Sequence, residues 1–77
     1  PEIESAVRQS VTEIAPDADL ASADPDAHLG DRFGIDSMDF LEIVTEIEER
    51  TGVAIPEKDY DRVQSVAGLV TYVDDHQ

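Results

Sequence analysis

The chain has no cysteine in its 77 residues. That excludes a disulfide, a thiolate metal site and a catalytic thiol supplied by the chain itself. Bases are scarce too: five Lys and Arg stand against nineteen Asp and Glu, for a net charge of -14. Phosphate backbones and anionic lipid surfaces repel such a molecule, so neither nucleic acid nor membrane insertion is expected. No apolar run approaches the length needed to span a bilayer. Pro1-Glu2-Ile3-Glu4 has neither the basic n-region nor the apolar stretch of a signal peptide. A cytoplasmic, monomeric protein with a single domain over residues 1–77 is the expectation, near the lower size limit for one unstapled core.

What is abundant is acid. Carboxylates keep a small protein soluble, and their mutual repulsion lowers its stability. They also favour partners with basic patches, through a long-range attraction that speeds encounter and fades with salt.

Hydrophobic spacing predicts helices over about 2–15, 36–51, 57–62 and 66–74. In the first, Ile3, Ala6, Val7, Val11 and Ile14 share a face, and Pro16 ends the helix. Residues 16–35 are rich in Pro, Asp and Ala and lack sustained periodicity, so they read as a long loop with room for one helical turn between Asp17 and Ala23. Leu29, Phe33 and Ile35 are its expected anchors to the core, with Gly30 and Gly34 at tight turns. In the second helix Phe40, Ile43, Val44 and Ile47 form the buried stripe, and Gly52 stands where a left-handed cap belongs. Val53 to Pro56 is an extended linker whose Val53 and Ile55 face inward. Pro56 opens a short helix with Tyr60 and Val63 inward. Ser65 caps a last helix whose Val66, Leu69, Val70 and Val73 form a stripe. Gly68 within it costs about 1 kcal/mol against alanine, which a close helix contact would explain. The fold class is all-α: a small four-helix bundle, three longer helices and one short, with a long first loop.

Gly34-Ile35-Asp36-Ser37-Met38-Asp39 joins that loop to the best patterned helix. Asp36 is a good N-cap, Ser37 falls on the first helical residue with its hydroxyl toward solvent, and Asp39 suits the helix dipole. Met38 and Leu41 lie off the buried stripe, among Asp39, Glu42, Glu46, Glu48 and Glu49. An apolar spot rimmed by charge describes a docking face for a partner.

Two chemical readings fail on spacing. A calcium loop starting at Asp24 needs glycine and glutamate where Leu29 and Ile35 stand, and starts at Asp17 or Asp26 end on His28 or Ser37. A serine-hydrolase elbow, G-x-S-x-G, needs glycines where the chain has Ile35 and Asp39, and His28 reads as a loop residue.

Asp36-Ser37-Met38, followed by Asp39-Phe40-Leu41-Glu42-Ile43-Val44, resembles the phosphopantetheine attachment motif of acyl carrier proteins, usually D-S-L or D-S-M. Gly34-Ile35 before it, Glu46 through Ile55-Pro56 after it, and Val66 to Val73 with Tyr72 resemble the same family. The resemblance implies a carrier that is not itself an enzyme. A phosphopantetheinyl transferase would attach 4′-phosphopantetheine from coenzyme A to Ser37. The arm's thiol would hold an acyl group as a thioester for enzymes of fatty acid, lipid or polyketide-type biosynthesis. By position in the family motif, Met38 and Leu41 would supply apolar contacts. Asp36, Asp39, Glu42, Glu48 and Glu49 would meet basic patches on the acyl-loading and acyl-transfer enzymes. No metal is implied. Arg32, Thr45, Arg50 and Thr51 depart from the family's usual residues. Aspartate–serine–methionine with the later Asp59-Tyr60-Asp61-Arg62 is also similar to aminoacyl carriers, D-alanyl carriers among them. A reading from a different class is an acidic interaction domain with Ser37 unmodified. The acids beside Ser37 would repel the arm's phosphate, so the arm is expected to lean outward, mobile rather than clamped.

Overall fold

The structure is a computed structural model and describes residues 2–77. Its elements are all helical: α1 (Glu2–Ile14), α2 (Leu29–Phe33), α3 (Ser37–Thr51) and α4 (Val66–His76), with 3-10 segments at Leu20–Ser22 and Glu57–Arg62. No helix is long and apolar enough to cross a membrane among the described residues.

Helix α1 packs against both α3 and α4, and the core lies where the three meet. Its centre is made of Val7, Val11, Ile43, Ile47, Leu69 and Val73, with Val63 from the end of the second 3-10 segment, all inaccessible to water. Ser10 is equally buried on the same face of α1 as Val7 and Val11. Its hydroxyl donates to the Ala6 carbonyl at 2.8 Å, which removes the penalty of hiding it. Ile3 and Ile14, expected in the stripe, only flank the core.

On α3 the buried residues are Phe40, Ile43, Val44 and Ile47, the stripe that the spacing predicts. On α4 Tyr72 replaces Val70 as a buried member, Val70 being half-buried. Tyr72 can go inside because its hydroxyl donates to Asp59 Oδ2 at 2.7 Å and its ring stacks on His76 at 3.9 Å. The Asp59 carboxylate accepting that bond holds the phenol above the usual tyrosine pKa.

The segment expected as a long loop has its helical turn at Leu20–Ser22, within Asp17–Ala23, but it also contains α2, and Gly30 lies inside that helix rather than at a turn. His28 caps it, with Nδ1 accepting from the Asp31 amide at 3.2 Å. Gly34 closes it in the left-handed region, φ 69°, where a side chain would be strained. Two backbone bonds fasten α2 and the turn before it to the start of α4. The Leu29 amide donates to the Gln64 carbonyl at 2.8 Å, and the Ala67 amide to the Pro25 carbonyl at 2.9 Å. Leu29 and Ile35 are buried and Phe33 packs partly against the core, so the three expected anchors do hold.

Candidate functional site

The connection from α2 into α3 turns at Gly34 and is pinned by buried Ile35, which delivers Asp36 and Ser37 to the surface. Asp36 is extended (φ -84°, ψ 178°) and exposed, and its Oδ1 accepts from the Asp39 amide at 2.8 Å. The helix start is thus capped by the residue before Ser37. Ser37 is exposed on the first helical turn, and capping makes no demand on its hydroxyl.

Helix geometry sorts the surface around it. At about 100° per residue, Ser37, Leu41 and Glu48 fall in one row and Met38, Glu42 and Glu49 in a second row beside it. All six are exposed, Met38 by 77% and Leu41 by 53%. No other large hydrophobic side chain is as open among the described residues. Glu48 and Glu49 stand roughly 17 and 18 Å along the axis from Ser37, at a rise of about 1.5 Å per residue. The acids therefore line the helix from end to end instead of gathering at the serine. Asp39 is half-buried on the adjoining flank, with its amide turned to Asp36.

The two arginines that depart from the family pattern are engaged elsewhere. Arg50 Nε pairs with Glu46 Oε2 at 3.0 Å and its Nη1 donates to Gln9 Oε1 at 2.7 Å, tying α3 to α1. Arg32 lies over the Phe33 ring at 5.3 Å. Arg50, which interrupts the acidic end of α3 in sequence, thus braces two helices.

Beside Ser37 opens a cleft of about 590 Å³. One wall is the start of α3, with Ser37, Met38, Phe40 and Leu41; the other is the second 3-10 segment, with Glu57 and Tyr60. His28, Gly30 and Ile35 from α2 and its exit close one side, together with Gln64. Phe40 and Tyr60 meet edge to face in it, ring centres 5.2 Å apart at 77°. Tyr60 was expected to face inward and is only half-buried, because it contributes to this cleft. His28, Glu57 and Gln64 were not recognisable as site residues. Each belongs to a segment without periodicity of its own, and only the folded chain brings them to Ser37.

Comparison with known proteins bears on the chain as a whole. A family model described as the phosphopantetheine attachment site matches residues 3–73. An acyl carrier protein of Solidesulfovibrio magneticus is 34% identical over 71 residues, spanning 88% of this chain and 91% of its own length. One from Helicobacter pylori is 32% identical over 59 residues, spanning 77% and 76% respectively. A mitochondrial acyl carrier protein of Neurospora crassa is 43% identical over 47 residues, 61% of this chain and 35% of its own length. The chain belongs to the acyl carrier protein family, whose members are non-catalytic carriers with a covalently attached 4′-phosphopantetheine.

Proposed function

We propose that Ser37 is the attachment point, and that the chain carries an acyl group between cytoplasmic enzymes of fatty acid, lipid or polyketide-type biosynthesis. The observation that carries this reading is the state of Ser37. It is exposed at the start of α3, Asp36 does the capping, and the Met38 and Leu41 side chains stand open beside it. The residues present fit the prosthetic group, since an unhindered hydroxyl borders a cleft large enough to receive part of a flexible arm. When attached, the group supplies a thiol that holds the cargo as a thioester. The chain's own work is presentation. Ser37 anchors the arm, Met38 and Leu41 offer apolar contact, and Asp36, Asp39, Glu42, Glu48 and Glu49 attract basic patches on the transferase and on the enzymes that load and unload cargo. Exposed charges of this kind set encounter rate and selectivity more than final affinity, which suits a carrier that must also let go.

The test is intact mass after incubating the apo chain with coenzyme A, magnesium and a broad-specificity phosphopantetheinyl transferase. The mass of one phosphopantetheine is expected on the chain and none on Ser37→Ala. An unmodified wild-type chain would instead make this an acidic interaction domain, and an increment that survives Ser37→Ala would place the arm elsewhere.

A further inference from the structure

The cleft beside Ser37 has a wall that the family motif does not account for. His28 stands in it, and its ring is held in one orientation from two sides. Nδ1 accepts the Asp31 amide at 3.2 Å as the cap of α2, so the proton of the neutral imidazole sits on Nε2. The Asp31 carboxylate lies 3.8 Å from the same Nδ1 but faces its lone pair, so on this edge the amide bond alone orients the neutral ring. On the other side the ring rests in space left by Gly30. A Cβ there would come 3.1 Å from His28 Cε1 and 3.2 Å from the Ile35 carbonyl oxygen. The imidazole is thus packed across Gly30 from Ile35, two residues before Ser37, while the Leu29 amide fastens the next residue to Gln64.

The polar groups of the cleft favour one class of occupant. Asp36 and Glu57 are acceptors, and their charge opposes a phosphate. The Gln64 amide nitrogen already donates to the Tyr60 carbonyl at 2.7 Å. The side-chain donors left in the lining are the His28 Nε2–H, the Tyr60 hydroxyl and the second Nε2–H of Gln64, the Ser37 hydroxyl being taken by the attachment. The apolar part comes from Ile35, Met38, Phe40 and Leu41. Fixed donors, spare carboxylate acceptors and an apolar floor suit an uncharged amide chain, which needs one partner for each carbonyl and each N–H. The pantetheine part of the arm is such a chain, and it lies beyond the phosphate that Asp36 and Asp39 repel.

We propose that His28 is a positioning residue for the prosthetic arm: its Nε2–H donates to an amide carbonyl of the pantetheine chain and draws that chain back over the cleft. This rests on attachment at Ser37. The phosphate still faces outward, away from the acids at the start of α3, while the amide chain behind it folds against His28. His28 therefore has two jobs on two ring atoms, with Nδ1 serving the fold and Nε2 serving the arm.

The two jobs can be separated by His28→Asn. Asparagine is a good N-cap whose Oδ1 can take over from Nδ1, but it leaves nothing at the position of Nε2. The experiment uses the chain loaded through the transferase with a 13C,15N-labelled pantetheine arm, with loading confirmed by mass. In the wild-type protein, the His28 ring resonances should shift between apo and holo forms, and arm amide protons should show NOEs to the His28 ring and to Met38. In holo His28→Asn those NOEs to Met38 should be lost and the arm's 15N relaxation should approach that of a free chain, with the unfolding midpoint of the apo form unchanged. Identical His28 resonances in apo and holo wild-type protein would overturn the proposal, as would an arm equally ordered in the variant. The wild-type comparison alone decides the matter if His28→Asn fails to fold. A chain that takes up no arm fails at the mass measurement, which refutes attachment itself and is distinct from a loaded chain whose arm ignores His28.

Discussion

Ser37 and Ser65 both stand at the start of a long helix, one residue apart in helical register. Ser65 is the cap itself: it is extended and half-buried, and its Oγ accepts from the Gly68 amide at 3.0 Å. Ser37 comes one position later, after Asp36 has taken the capping role through the Asp39 amide. That single step decides what each hydroxyl can do. A serine at the cap position is occupied by an amide that would otherwise lack a partner, whereas a serine at the first helical position points its Oγ outward. The surroundings follow suit. Ser65 lies between half-buried Gln64 and buried Val66, and the α4 backbone at Gly68 comes against the end of the 3-10 segment. Ser37 opens two exposed rows, Leu41 and Glu48 in one, Met38, Glu42 and Glu49 in the other. A residue available for modification is here one that the fold does not need.

The contrast can be broken in four ways, taken from the largest expected effect down. Ser37→Ala should abolish transferase-dependent modification, read by intact mass, while urea unfolding changes by no more than about 0.5 kcal/mol, as for surface substitutions generally. A large loss of stability there would show Ser37 to be structural after all. Gly68→Ala places a Cβ 2.6 Å from the Arg62 carbonyl oxygen. Backbone must move, so destabilisation by about 1–3 kcal/mol is expected in the same unfolding assay. A neutral result would mean that the two segments separate freely. Ser65→Ala should cost about 1 kcal/mol of stability and leave modification at Ser37 intact, the mirror image of Ser37→Ala. Last, Glu48→Lys should slow modification a few-fold at low salt, equivalent to less than about 1.4 kcal/mol, with the difference shrinking as salt is added. Rates equal to wild type at low salt would leave the acids of α3 with solubility as their role.

The parts of the fold that could be read in advance share a property. The buried stripe of α3 repeats at three and four residues, and its ends carry Asp36 and Gly52, so every cue lies within a turn of the residue it concerns. The α4 start is similar, with Ser65 and Gly68 three residues apart. The misread parts depend on partners far along the chain. Helix α2 has only five residues, too few to show periodicity, and its cap is a histidine rather than one of the usual capping side chains. The bonds that fasten its surroundings run from Leu29 to Gln64 and from Pro25 to Ala67. Tyr72 is buried in place of Val70 because Asp59, thirteen residues away, accepts a hydrogen bond from its hydroxyl.

The site divides along the same line. An Asp36 cap, an exposed hydroxyl at Ser37 and two apolar residues off the buried stripe all follow from angular positions on one helix, which the order of residues dictates once the helix forms. The cleft does not. Its lining comes from the end of the long connection, the start of α3 and the second 3-10 segment, at positions 28 to 64. The closeness of His28 to Gly30 and the edge-to-face meeting of Phe40 with Tyr60 exist only after those segments pack on a common core. Local sequence set the exposure of the Ser37 hydroxyl because capping and periodicity act over a few bonds. Tertiary structure chose what faces that serine, because side chains from separate segments become neighbours only when buried apolar surface holds their backbones together.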